Sequence, residues 1–224
     1  MKYMSNNKNN LIVISSPSGG GKDAVIAKLI EIFPKSARLV TTTTRAPRPG
    51  DVEGVNYNFV SVEQFEEKIK NNELVEHNNY NGNYYGIDKG VLKETLEKNN
   101  IVFTNIDVNG KSSLDKEGIK HLAIFLLPEN LEVLKNRIKA RGGVSDADLK
   151  KRLKTAEKEI KMSDKYDHQV VNKEGEMEEA VEEIEGIIRE AKVKKLAVNI
   201  AEAREDVKKG RVYNFKEIRK ELGL

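Results

Sequence analysis

Residues 11–33, LIVISSPSGGGKDAVIAKLIEIF, leave this chain little choice of architecture. Leu11 to Ser15 is an uninterrupted apolar run of strand length. A strand of that kind is buried on both faces, as in a parallel sheet covered by helices. Asp23 to Phe33 then places Val25, Ile26, Leu29 and Phe33 on one helical face. Between the two, Gly19, Gly20 and Gly21 allow a tight turn whose backbone N–H groups point inward at the positive end of a helix, with Lys22 beside them. That is a cradle for phosphate. Further apolar runs at 101–107, 121–127 and 168–171 alternate with helical patterns. One helix is opened by Pro128 and carries Leu131, Leu134 and Ile138; another spans 177–193. The expected fold class is α/β: a parallel-sheet core flanked by helices.

Between residues 40 and 90 the pattern turns to short alternating strands. Ser61 with Gln64 forms a capping box, and Asn81-Gly82 is a two-residue hairpin signal. A small mixed-sheet subdomain is therefore expected at about 41–90. A length of 224 residues suits one core with such an insertion. Residues 1–10, rich in asparagine, read as a flexible N-terminus. From Lys192 onward basic residues outnumber acidic ones two to one, so 192–224 reads as a separate basic extension.

With 39 basic and 36 acidic residues overall, no nucleic-acid or membrane partner is expected. Small anions remain. There is no cysteine and no apolar run long enough to cross a bilayer, so a soluble cytoplasmic protein without thiol chemistry is expected. His77, His121 and His168 share no metal-ligand spacing, and no zinc site is expected.

The glycine-rich loop departs twice from the pattern Gly-x-x-x-x-Gly-Lys-Ser/Thr. Ser16 replaces the first glycine and Asp23 replaces the hydroxyl residue that normally helps hold Mg²⁺. In TNIDVNG, Asn105 stands where an acidic residue is common, and Asp107 follows two residues later on the same strand face. Two readings are open. Asp23 and Asn105 together supply a charge and neutral oxygens to Mg²⁺, directly or through water, or Asp23 caps the helix.

Seven segments in order, PSGGGK, TTTTRAPRPGDVEGVNYNFVS, NNELVEHNNYNGNYYG, NIDVNG, KNRIKARGG, KKRLKTAEKE and YDHQVVN, resemble guanylate kinase over residues 11–191. The resemblance implies transfer of the γ-phosphoryl group of ATP to GMP, and to dGMP, with Mg²⁺, in purine metabolism. It implies a GMP-binding subdomain at about 41–90 and a lid at about 141–160. It assigns Ser18, Gly19, Gly20, Gly21, Lys22, Asp23 and Asn172 to ATP. Thr41, Arg45, Arg48, Tyr57, Glu76, Tyr85 and Asp107 fall to GMP. Paired guanidinium forks suit the acceptor phosphate, and Glu76 accepts the adjacent N1–H and N2–H₂ of guanine, a pair that adenine lacks. Lys22, Arg45, Arg137, Arg141 and Arg152 are the expected catalytic cations; Gly142 and Gly143 are expected lid hinges. Ile87 occupies a position where the family usually has Ser or Thr facing the base. Either selectivity relaxes there, or Asp88 or water substitutes. The alternative is a catalytically inactive guanylate-kinase-like module that binds partners. The tail is expected to serve self-association or protein contact.

Overall fold

A computed structural model describes residues 11–48, 50–80, 82–140, 142 and 145–209. Arg141, Gly143 and the terminal stretches 1–10 and 210–224, which carry earlier expectations, lie outside these. The core is a five-stranded parallel sheet in the order β2-β7-β1-β8-β9. Its strands are β1 (Leu11–Ser15), β2 (Ser36–Arg38), β7 (Ile101–Thr104), β8 (Leu122–Pro128) and β9 (His168–Asn172). Every residue of the central β1 is buried. Successive side chains of a strand leave opposite faces, and the two cores follow that rule. Ile12 and Ile14 pack with Val25 and Leu29 of α1 (Lys22–Ile32) and with Ile184 and Ile188 of α7 (Met177–Lys208). Leu11 and Val13 pack on the other side with Val102 and with Leu114 of α4 (Val108–Lys116). The α/β expectation therefore holds.

The second sheet has the order β4-β3-β6-β5 and lies between β2 and β7 in the chain. It comprises β3 (Thr41–Thr43), β4 (Tyr57–Phe59), β5 (Leu74–Tyr80) and β6 (Asn83–Asp88). It is mixed, with β3 and β4 parallel and the other neighbours antiparallel. Helix α2 (Val62–Lys70) starts with the capping box read from sequence, the Ser61 and Gln64 side chains each bonding the other's backbone N–H. Tyr80 pairs with Asn83 across the predicted hairpin, whose Asn81 lies outside the described residues. Helix α3 (Lys89–Lys98) leads back to the core, and α5 (Leu131–Ala140) and α6 (Asp146–Lys161) follow β8.

Three boundaries differ from the sequence reading. Strand β7 stops at Thr104, so Asn105 and Asp107 do not share a strand face; Asp107 caps α4 by accepting from Asn109 and Gly110 N–H. Pro128 ends β8 rather than opening a helix, and Asn130 Oδ1 receives the Val133 N–H at the start of α5. Helix α7 runs unbroken past residue 191 to Lys208. Among the described residues no helix is long and apolar enough to cross a membrane.

Candidate active site

The loop from Ser16 to Lys22 is built from tight contacts. Gly19 and Gly21 have φ of 94° and 93°, a region that strains residues with side chains. Gly20 N–H donates to Pro17 O at 2.9 Å, and a Cβ on Gly20 would lie 2.7 Å from Ser16 Cβ. The serine in place of the first glycine is therefore accommodated because position 20 has no side chain. Asn172 closes the loop from β9, its Nδ2 donating to Gly20 O at 2.9 Å, and a Cβ on Gly21 would meet that nitrogen at 2.5 Å. Gly21 is the N-cap of α1 and no side chain caps the helix. The positive helix end thus faces the turn, as an anion requires.

Asp23 is not a helix cap. Its Oδ1 accepts from Asn105 Nδ2 at 2.7 Å and from Arg38 Nη2 at 2.6 Å. The two departures from the usual loop pattern therefore touch one another, and Arg38 joins them from the edge strand β2. Asp23 Oδ2 and Asn105 Oδ1 are further oxygens of the type a hard cation takes. Among the described residues no three His, Cys, Asp or Glu side chains cluster as a metal cage. The donor set fits a cation that arrives with phosphates and keeps most of its shell from them and water.

These groups open on a cleft of about 580 Å³, within the usual range for small-ligand sites. Ser18, Gly19, Gly21, Lys22, Asp23 and Asn105 line the core-sheet side. Thr41, Arg45, Arg48, Tyr57, Glu76 and Tyr85 line the small-sheet side, and Asp107 and Arg152 complete the wall. Arg45 is held in place before any ligand: Nη2 bonds Asp51 Oδ2 at 2.8 Å, Nη1 bonds Ala46 O at 2.9 Å, and its guanidinium lies 5.2 Å from the Tyr57 ring centroid. Burial opposes its charge, but the Asp51 hydrogen bond and charge outweigh that and raise its pKa. Tyr57 and Tyr85 meet edge to face at 6.0 Å, and burial raises the Tyr57 pKa, which keeps its phenol a donor.

Glu76 is 7% exposed. Burial, and secondarily the charge of Asp107, push its carboxyl up to about 8. Helix α4 comes close enough that a Cβ on Gly110 would lie 3.1 Å from Glu76 Oε2. A carboxyl so placed lacks the donors that a ligand would bring. Ile87 is fully buried in the apolar core and Asp88 is committed to the α3 N-terminus and to Lys68 Nζ at 2.7 Å. Asp88 therefore does not replace the missing hydroxyl.

Among the described residues, three expected site residues do not line this cleft, Gly20 being one of them. Arg137 and Asn172 line a second, smaller cavity behind Gly19 and Gly21. There Arg137 Nε bonds Glu174 Oε2 at 2.7 Å and Nη2 bonds Lys173 O at 3.1 Å. Asn172 Oδ1 is buried without a partner, an acceptor beside that cavity. The sequence reading missed Asn78 and Glu159, both lining the main cleft. Burial and Asp107 push Glu159 up to about 7, against the pull of Lys22. Both sit within segments quoted above, Glu159 in KKRLKTAEKE and Asn78 in NNELVEHNNYNGNYYG, but neither stands out there from its charged or polar neighbours.

Comparison with known proteins gives a consistent picture. A family model described as guanylate kinase matches residues 8–191. Guanylate kinase of Clostridium perfringens is 37% identical over 215 residues, covering 95% of this chain and 99% of that protein. The guanylate kinase of Clostridioides difficile is 40% identical over 187 residues, 84% of this chain and 90% of that one. Among solved structures, the crystal structure of guanylate kinase from Anaplasma phagocytophilum superposes with a TM-score of 0.66 at 31% identity, covering 83% and 87% of the two chains.

Proposed function

Given a chain that belongs to the guanylate kinase family and is an enzyme of phosphoryl transfer to GMP, we propose that ATP is its donor, that dGMP is also accepted, and that the reaction serves cytoplasmic purine metabolism. One observation supports this most: the loop bearing Lys22 and the buried carboxyl of Glu76 open on the same cleft. A phosphate grip and a reader of paired purine donors face one another across it.

In this reading Glu76 accepts guanine N1–H and one N2–H, Asp107 takes the other, and Thr41 meets O6. Arg45 and Arg48 fork the acceptor phosphate, with Tyr57 and Tyr85 as neutral donors. Ser18 to Lys22 hold the donor phosphates, and Asn172 accepts from the adenine amino group through Oδ1. A GMP phosphate oxygen forms the new bond to the γ-phosphorus as the bond to the β,γ-bridging oxygen breaks, releasing ADP. The acceptor phosphate, with a second pKa near ~6, is already a nucleophile at neutral pH, and no general base is needed. Lys22, Arg45, Arg137, Arg141 and Arg152 stabilise the spreading charge. Asp23 and Asn105 would hold Mg²⁺, which when bound neutralises phosphate charge.

The deciding assay is ADP release from ATP with GMP, dGMP, IMP or AMP, with and without Mg²⁺. Turnover with GMP and dGMP that needs Mg²⁺ is expected. GMP binding without any ADP would establish the inactive-module alternative. For the tail, the exposed Val193, Leu196, Ile200 and Val207 recur at heptad spacing on α7, which supports self-association with a second copy.

A further inference from the structure

Ile87 leaves the base end of the cleft one hydroxyl short, and Asp88 is engaged elsewhere. A carboxamide from the adjacent strand occupies that end. Asn78 stands two residues beyond Glu76 on β5, so both side chains leave the same face of the strand, and both line the cleft. Its Nδ2 donates to Asp107 Oδ2 at 2.9 Å, across 29 residues of sequence. The other carboxylate oxygen, Oδ1, accepts from Asn109 N–H at 3.0 Å and Gly110 N–H at 2.8 Å. Asp107 is thus fixed from two sides. Helix α4 anchors one oxygen, and Asn78 sets the rotation of the other about that anchor.

The ligand chemistry that this arrangement fits is specific. A purine with a 2-amino group presents three N–H donors along one edge. Glu76 has room for two in parallel, so the third needs a separate acceptor held at a fixed angle. Asp107 Oδ2 retains a lone pair beyond the one Asn78 engages, and Asn78 Oδ1 adds a neutral acceptor beside it. Hypoxanthine differs from guanine by lacking the 2-amino group, so it makes no use of this pair.

We propose that Asn78 is a positioning and specificity-determining residue of the acceptor site: it holds Asp107 Oδ2 toward the 2-amino group and thereby sets the preference for GMP over IMP. This rests on the acceptor-site reading given above. Without the carboxamide, the carboxylate is free to pivot about its α4 bonds and water takes the vacated place.

The test compares kcat/KM for GMP and IMP on one sample of the full chain, so the fraction of folded enzyme cancels in the ratio. Asn78→Leu keeps the volume and removes the hydrogen bonds, Asn78→Ala removes both, and Asp107→Ala is the reference. The GMP-to-IMP ratio is expected to fall about tenfold in both Asn78 variants, the size of one lost bond to a charged group, and through KM for GMP. If Asp107→Ala lowers the ratio and neither Asn78 variant does, this inference falls and the acceptor-site reading stands. A fall in the Asn78 variants alone overturns the action through Asp107. If no variant moves the ratio, both are wrong.

Discussion

Glu76 shows what a buried carboxyl in the cleft costs the free protein. Its carboxyl is raised from 4.5 to about 8, so the folded chain holds a proton that the unfolded chain releases. Stability therefore falls as pH rises through that interval. Glu76→Gln should melt higher than the parent at pH 8 and alike near pH 4, by roughly 2–4 °C for each kcal/mol recovered. The same variant should lose about a hundredfold or more in kcat/KM for GMP. Calorimetric melting at the two pH values checks the first claim. Guanine donors favour the ionised form, so binding GMP should release a proton, and affinity should rise between about pH 7 and pH 8. Heats measured in buffers of different ionisation enthalpy would count that proton. Asp23 makes the opposite demand, for charge. Arg38 competes with any metal for its Oδ1. Asp23→Ala should raise the Mg²⁺ concentration for half-maximal turnover several-fold, and Arg38→Ala should lower it. Mn²⁺ binding followed by electron paramagnetic resonance gives an independent reading of both.

Elements that announce themselves locally were legible from sequence. The apolar run of β1, the glycine turn and the striped α1 need only neighbours within a few residues, and the capping box at α2 is likewise local. Helix α4 was not legible. Its segment VNGKSSLDK buries only Val108, Gly110 and Leu114, too little to stand out against the preceding strand, and its start is set by an Asp107 cap that looks like strand continuation. Pro128 was misplaced because proline tolerates a strand end as readily as a first helical turn. Asn78 and Arg38 were missed because their partners lie 29 and 15 residues away, in other elements. Helix α7 is the case where sequence showed a change of character but not a change of structure. Its 32 residues continue as one helix through that change. Leu196 and Ile200 are 59% and 45% exposed. Replacing both by Glu should reduce a self-associated chain to monomer in light scattering, with GMP turnover retained per chain. A parent that is already monomeric would contradict the association proposed for this helix.

At the scale of the molecule, the two sheets are separate in topology, and residues from both line one cleft. Between α5 and α6, Gly142 lines that cleft with φ of 72° and open space around it. Gly142→Ala therefore alters backbone preference rather than packing, and should lower kcat several-fold by slowing closure. Small-angle scattering should show the parent contracting when GMP and a non-hydrolysable ATP analogue bind together. A last consequence concerns how the molecule is made. The turn at Gly20 is locked by Asn172, a residue 152 positions later on the edge strand β9. A ribosome that has delivered the first third of the chain has delivered the glycine turn without the side chain that clasps it.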